Sequence, residues 1–458
     1  MLPRKAGNSP RIRRKVATML EIQNVPIDIL IPHKGNPRSH SKKQIRQIAD
    51  SINVFGFVMP ILVDKNMRIV CGHARTESAK LCGMSELPVI VNSDLTESQI
   101  NAYMVADNRL VEVGCWDDTL LAQHLKELSE AELDFSIEAT GFEMGEIDFM
   151  ISGLSSLDEG KPDPADELPD LKNEAAVSKV GDVWTLNKHR LLCGNALEES
   201  SFATLMMGQK AIMAFVDPPY NVRINGHVGG AGSIKHREFP MASGEMSKLE
   251  FISFLNKALT RLTENSTDGS IHYVSMDFRH MSEILTAGQV YTELKNLCVW
   301  VKDNAGMGSF YRSQHELFFV FKNGTKPHQN NFKLGQYGRH RTNVWQYPSI
   351  NSFAQKSEEG NLLNFHPTVK PVALISDAIM DCSSRGDIIL DCFAGSGSSI
   401  LAAERVGRYC YAMELDPLYI DTAIRRWQKL TGAHAVHEQT GQRFDDMAAL
   451  VKGASHEP

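Results

Sequence analysis

The sequence predicts an α/β chain, a doubly wound parallel sheet preceded by a smaller α+β unit. Three observations carry this. Residues 211–216, Ala-Ile-Met-Ala-Phe-Val, form an unbroken apolar run ending at Asp217, and residues 387–391, Asp-Ile-Ile-Leu-Asp, read as a second buried strand with its apolar residues between two acids. Runs this short and uniform suit strands buried on both faces of a parallel sheet. The second run enters Gly395-Ser396-Gly397, then a helical pattern over 400–406 and a strand over 409–413, the strand–turn–helix–strand unit of a doubly wound sheet. Between the two runs, strand and helix patterns alternate, as such a sheet requires.

The chain has 458 residues, 42% apolar and 22% charged, enough for two or three domains with cores of their own. No apolar run approaches membrane-spanning length, so no membrane partner is expected. Residues 1–18 carry six Lys or Arg and no acid but lack the apolar centre of a secretory signal; they read as a disordered basic arm. The eight cysteines show no Cys-x-x-Cys and no Cys/His cluster at ligand spacing, which fits reduced thiols in a cytoplasmic protein and no structural metal. With a net charge of −7, any surface for nucleic acid must be local.

Residues 19–152 read as one unit. Short strands are expected at 20–22 and 29–31, a turn at Asn36-Pro37-Arg38, and a helix over 42–53 capped by Ser41 with Ile45, Ile48 and Ile52 on one face. Strands at 60–63 and 68–70 flank a turn, and Gly72-His73-Ala74-Arg75 opens a helix before a strand at 87–91. A glycine at a helix N-terminus bearing His73 and Arg75 reads as a phosphate cradle. This stretch resembles the ParB-like N-terminal (ParB/sulfiredoxin) domain in Asn36-Pro37-Arg38, Gly56-Phe57, Pro60-Ile61 and Gly72-His73-Ala74-Arg75 with Ala79. Only Arg75 stands where partition-type members carry an arginine-rich box, so nucleotide binding by this unit stays open beside a structural or DNA-tethering role. Helices over 97–110, 117–128 and 143–151 read as an appendage to it.

Residues 153–178 read as a linker, since between Ser155 and Ala175 there are seven acids, two lysines and three prolines. The second domain is expected over 179–432, with 433–458 as a C-terminal tail. A hairpin starts at 181–184, and the strand 190–193 ends at Gly194-Asn195. Residues 221–247 are rich in glycine and histidine, with Arg223, Lys235 and Arg237, and read as a long loop facing a nucleic acid. A helix over 251–265 presents Phe254, Leu255, Leu259 and Leu262 inward, followed by a strand at 269–275, a helix at 278–286 and strands at 296–302 and 316–321. From Val301 to Trp345 there are seven Lys or Arg against two acids, interleaved with aromatics. Lys302, Tyr311, Arg312, Arg339 and Arg341 there are candidate DNA contacts, cations for phosphates and aromatics for bases; a solvated basic face is the plainer reading.

Asp217-Pro218-Pro219-Tyr220 lies where ligands of a parallel sheet bind, beyond the carboxyl end of a strand. Its residue types suit holding a planar exocyclic amine for methylation. The amine lone pair is delocalised into the base, and two acceptors, the Asp217 carboxylate and the Pro218 carbonyl, favour a pyramidal nitrogen. The prolines fix φ and so aim that carbonyl, and Tyr220 offers a stacking face. The same tetrad also serves as a plain strand-ending turn. Glu414, 23 residues after Asp391, falls at a strand tip where an acid accepts ribose hydroxyls. With one Gly-x-Gly and no phosphate-binding lysine, adenosine without phosphates fits better than a dinucleotide.

Together Asp217-Pro218-Pro219-Tyr220, residues 366–371 (His-Pro-Thr-Val-Lys-Pro) and Phe393-Ala394-Gly395-Ser396-Gly397 resemble the amino-group (N6-adenine/N4-cytosine) DNA methyltransferases, in the motif order of their β group. The resemblance implies a Rossmann-like sheet with circularly permuted motif order, S-adenosylmethionine as cofactor, and double-stranded DNA as partner in a restriction-modification setting. It implies that Asp391, Phe393, Gly395, Gly397 and Glu414 bind the cofactor, with Thr368 and Lys370 near its carboxylate and Asn195 touching it. Asp217, Pro218, Pro219 and Tyr220 would hold the target amine. Asp rather than Ser at 217 leans to adenine N6, with cytosine N4 as the alternative. An inert methylase half on a ParB-like DNA-binding protein, an RNA or protein substrate, and a homodimer stay open.

Overall fold

The computed structural model describes residues 20–154, 163–167, 169, 175–222, 241–303, 305, 310–335, 339–348 and 369–454. The chain divides into two compact units. In the first, β1 (Ile22–Pro26), β2 (Ile61–Asp64), β3 (Ile69–Cys71) and β4 (Glu86–Asn92) form a sheet in the order β1-β4-β2-β3. α1 (Lys42–Phe55) and α2 (His73–Leu81) follow from the sequence as read, the Ser41 side chain accepting from Gln44 N. The strand expected at 29–31 is absent; residues 27–29 form a 3-10 turn instead. α3 (Glu97–Val113) closes this unit behind a Thr96–Gln99 capping box, and α4 (Asp118–Glu130) follows it in the chain.

The second unit holds a ten-stranded sheet. Its strands and covering helices, in chain order, are α5 (Met144–Gly153), β5 (Val183–Leu186), β6 (His189–Cys193), α6 (Glu199–Met206), β7 (Ala211–Val216), α7 (Lys248–Glu264), β8 (Ser266–Met276), α8 (Met281–Ala287), β9 (Glu293–Val301), β10 (His315–Lys322), β11 (Val344–Gln346), α9 (Val372–Cys382), β12 (Ile388–Asp391), α10 (Ser398–Val406), β13 (Tyr409–Glu414), α11 (Pro417–Thr431), β14 (Val436–His437) and α12 (Phe444–Ala454). The strand order is β11-β9-β10-β8-β7-β12-β13-β6-β5-β14. β8, β7, β12, β13 and β6 run parallel at its centre. Side-chain alternation along β7 explains the two cores. Met213 and Phe215 join α9, α10 and α11 on one face, while Ala214 and Val216 join α6 and α7 on the other.

This order places the site. After β7 the chain returns to β8 on one side, and after β12 it returns to β13 on the other. The β7/β12 border is therefore the switch point of the sheet, where the loops leaving adjacent strand tips diverge and open a crevice.

Three expected boundaries need correction. Residues 433–454 are no tail: β14 pairs with β5, and Phe444, fully buried, packs its ring edge on Trp184 with centroids 5.3 Å apart. The expected linker is partly built in, because Asp163 accepts twice from Arg405 at 2.6 and 2.7 Å and Ala165 is buried in the core. α5, expected with the first unit, belongs to the second. Its Asp148 is buried against Arg408, at 2.6 Å, and Arg385, at 3.1 Å.

Candidate active site

Strand register brings the pieces together. Leu390 of β12 lies beside Ala214 of β7, so Asp217 and Asp391 leave neighbouring strand tips. One cleft collects Asp217, Pro218, Pro219 and Tyr220 from the first tip, Asp391 to Ser396 from the second, Glu414 from β13, and Lys370. Counted out to its open mouth, and so including solvent space, it encloses about 1220 Å³.

At the first tip, Asp217 Oδ1 accepts from the Tyr220 hydroxyl at 2.7 Å and from the Ser275 hydroxyl, and Oδ2 accepts from Lys370 Nζ at 2.6 Å. A carboxylate has about four lone-pair sites, so one remains on Oδ2. Lys370 is buried and directs its three N–H bonds at Asp217, at Glu316 (2.9 Å) and at the Tyr220 oxygen (3.3 Å). It lines the same cleft as the expected cofactor residues, with its donors facing protein acceptors. Lys302 pairs with the other Glu316 oxygen. Burial pushes the Glu316 carboxyl up, but the Lys370 and Lys302 charges outweigh it and hold it down at about 2. Burial pushes Lys370 down, and Asp217 and Glu316 more than offset it, leaving it raised. Tyr220 is raised well above a free phenol by burial and by the Asp217 and Glu316 charges, so its hydroxyl stays a donor.

Ser275 and Glu316 are the residues that sequence reasoning missed. Val274 of β8 pairs with Val216, which sets Ser275 beside Asp217. Antiparallel pairing of Leu317 with Met276 then brings Glu316 to the same end of the sheet. The only signal in the sequence is an acid at the head of an apolar strand.

At the second tip, Glu414 ties the turn: Oε2 accepts from Gly395 N at 2.9 Å, and Oε1 from Leu415 N at 2.8 Å and Asp416 N at 2.9 Å. The spare lone pair is thus on Oε2, which narrows the expectation of two ribose hydroxyls to one strong acceptor. Asp391 Oδ1 accepts from Phe393 N at 3.0 Å, and burial pushes this carboxyl up to about 7, with the Asp217 and Glu414 charges acting the same way. Gly397 has φ +83, and a Cβ there would meet Ala423 Cβ at 2.6 Å, so the turn demands glycine. Arg426, buried, clamps the same turn through Ser396 O at 2.8 Å and the Ser398 hydroxyl at 3.2 Å. Asn195 departs from expectation. Its side chain accepts from Leu197 N and donates to Glu198, while its neighbours Gly194 and Ala196 line the cleft.

Among the expected DNA contacts, Tyr311 and Arg312 are exposed, beside an exposed Phe310. Lys302 is instead part of the Glu316 pair. Arg339 and Arg341 are corrected too: both are half-buried against α9, reaching Asp381 at 2.9 and 3.0 Å, so each guanidinium is already engaged by carboxylates. Arg223, Lys235, Arg237 and Thr368 lie outside the described residues. In the first unit, Arg75 turns onto Met59 O at 2.8 Å and Pro60 O at 3.3 Å, and His73 Nε2 accepts from His33 N. Arg75 nevertheless lines one cavity with Asn36, Arg38, His40 and His73, the residues around the expected cradle.

Comparison with known families decides the assignment. Residues 212–425 match the DNA methylase family of N6/N4 type, residues 13–108 the ParB N-terminal domain, and residues 119–180 the ParB-methyltransferase HTH domain. Residues 212–425 are thus a DNA methylase domain of the N6/N4 type. In chain order the ParB-type match precedes the methylase match, and of the expected helical appendage the part from residue 119 onward falls in the HTH match, while α3 lies before it. The chain's methylase part is 27% identical over 256 residues to the type II methyltransferase M2.DpnII of Streptococcus pneumoniae, covering 52% of this chain and 90% of that protein. It is 25% identical over 237 residues to M2.MboI of Moraxella bovis, covering 48% and 81%. Its N-terminal part is 40% identical over 80 residues to the ParB-like nuclease domain-containing protein YnaK of Escherichia coli (strain K12), covering 18% and 92%. Among solved structures it is similar to the M1.HpyAVI-SAM complex, at 18% identity, TM-score 0.36, and 52% and 98% coverage.

Proposed function

We propose that this methylase transfers a methyl group from S-adenosylmethionine to N6 of an adenine extruded from a specific site in duplex DNA. The observation that carries the reading is the shared cleft: Asp217 and Glu414, on separate strand tips, each keep one unfilled acceptor position within one crevice. The lining also fits the cofactor. The carboxyl groups of Asp217, Asp391 and Glu414 face it against the single ammonium of Lys370, and even with the Asp391 proton retained up to about pH 7 the acids outnumber the cation, which suits a cationic sulfonium and opposes a polyphosphate. Glu414 Oε2 would take a ribose hydroxyl, with Phe393 and the Gly395 turn against the adenosine. When bound, S-adenosylmethionine supplies an electrophilic methyl on sulfur.

The chain's own residues do the rest. Asp217 Oδ2 and the Pro218 carbonyl accept the two N–H bonds of the target amine and direct its lone pair across the cleft. Ser275 and Lys370 fix the carboxylate plane, so no reorganisation is needed as charge develops on nitrogen. The Tyr220 ring flanks the base. The methylated amine sheds its proton readily, and no covalent intermediate is required. Asp at 217 supports adenine over cytosine by family likeness. The type II relatives support a role in restriction-modification in the cytoplasm, and the ParB-type and HTH parts support tethering to DNA.

Tritiated methyl transfer to mixed-sequence duplex DNA, followed by nucleoside analysis, tests the reading. N6-methyladenine is the expected product. N4-methylcytosine would move the base assignment, and no label in DNA would remove the function.

A further inference from the structure

Four charged side chains from four separate segments form a linear series in the second unit: Asp217 after β7, Lys370 before α9, Glu316 on β10 and Lys302 after β9. Signs alternate along it and the sum is zero. Lys370 and Glu316 have side-chain exposures of only 3% and 10%, so neither charge is relieved by solvent. Removing one member of a buried ion pair leaves the other uncompensated.

We propose that Glu316 is a positioning residue for methyl transfer, dividing the pull of Lys370 so that Asp217 keeps an acceptor position open toward the target amine. The inference rests on the methyltransferase reading above. Lys370 Nζ stands between two carboxylates, 2.6 Å from Asp217 Oδ2 and 2.9 Å from Glu316 Oε2. Without the second carboxylate, the whole ammonium charge falls on Asp217, the one group that must still attract an N–H hydrogen. The surroundings of the cleft also become one charge more positive, which opposes both a cationic donor and the positive charge arriving on the amine. Glu316 thus acts through Lys370 and touches no reacting atom.

The test is a double-mutant cycle on the full chain with Glu316→Gln and Lys370→Gln, read as single-turnover methylation beside the dissociation constants of S-adenosylmethionine and its product S-adenosylhomocysteine, which lacks the sulfonium charge. Glu316→Gln should slow turnover roughly 10- to 100-fold and weaken the sulfonium ligand more than the thioether one. Glu316→Asp should recover part of the rate. The double variant, which restores neutrality, should be no slower than Glu316→Gln alone, the non-additivity of groups acting through one another. Rates that multiply in the double variant, or equal weakening of both ligands, would overturn the proposal, since a packing defect gives both. Thermal unfolding of each variant separates misfolding from either outcome. A wild-type chain with no transferase activity would defeat the parent reading instead, while the ligand comparison still judges the charge argument.

Discussion

Lys370 Nζ lies 2.6 Å from Asp217 Oδ2, although 153 residues separate the two in the chain. The contact turns a strand-ending tetrad into a carboxylate with fixed plane and three of its lone pairs filled. Asp217→Ala is therefore expected to remove methyl transfer by about 100-fold or more, the scale of losing one pre-aimed group at a developing charge. Cofactor affinity should stay within a few-fold, because Glu414 and the Gly395 turn are untouched. Quench-flow methylation together with calorimetric titration of S-adenosylmethionine checks both halves; full turnover in the variant would sink the assignment of Asp217.

Glu414 carries two duties that mutation should expose together. Its carboxylate accepts three backbone N–H groups of the turns around it and keeps one lone pair for a ligand. Glu414→Ala should weaken the cofactor about tenfold or more and also lower the melting temperature of the ligand-free chain, as buried donors lose their acceptor. An unchanged cofactor dissociation constant would count against the ribose role even if the protein melts earlier.

The parts of this architecture that could be read from the sequence are those written in local pattern. The apolar runs of β7 and β12 and the glycine turn at 395–397 declare themselves because a strand buried on both faces admits no polar residue. The capped helix after Ser41 declares itself by its start signal and one-sided isoleucines. Glu316 and Ser275 escape because their proximity to Asp217 depends on the register of β8 against both β7 and β10, which no local spacing encodes. Arg408 and Asp148, 260 residues apart and both fully buried, look like ordinary surface charges until the fold joins them. β14, two residues long, is too short to show a period, so the segment around it reads as a tail.

Arg339 and Arg341 show how a basic stretch misleads. Their guanidiniums converge on Asp377 and Asp381, one helical turn apart on α9, and Arg341 also donates to the Tyr347 hydroxyl at 2.9 Å. Arg341→Ala leaves Asp381, itself pushed up to about 6 by burial, short of a partner. The expected cost is stability, on the order of 3 kcal/mol, the range for breaking a buried pair. The slope of DNA affinity against salt should not change, whereas losing a true phosphate contact would reduce it by about 0.9. Urea unfolding and a salt titration of binding measure the two effects independently.

Asp391 gives a pH dependence whose sign follows from its burial. In the folded chain its carboxyl holds a proton up to about 7, against an ordinary value of 3.8. Between those values the folded state binds more protons than the unfolded one, so this group's contribution is complete below about pH 4 and is lost as pH rises through 7. Asp391→Asn cannot ionise, and its side-chain oxygen can still accept from Phe393 N. Relative to wild type, the cofactor-free variant should therefore gain stability between pH 5 and pH 8, on the order of 1–3 kcal/mol. Asp166 and Asp381 are also pushed up to about 6 and titrate in the same window, so the difference between the two chains, not either curve alone, isolates Asp391. Urea unfolding at the two pH values decides it: a variant-minus-wild-type difference that stays constant would mean that Asp391 is ionised throughout, and that the carboxylate at this tip is held by its hydrogen bonds more strongly than burial opposes it.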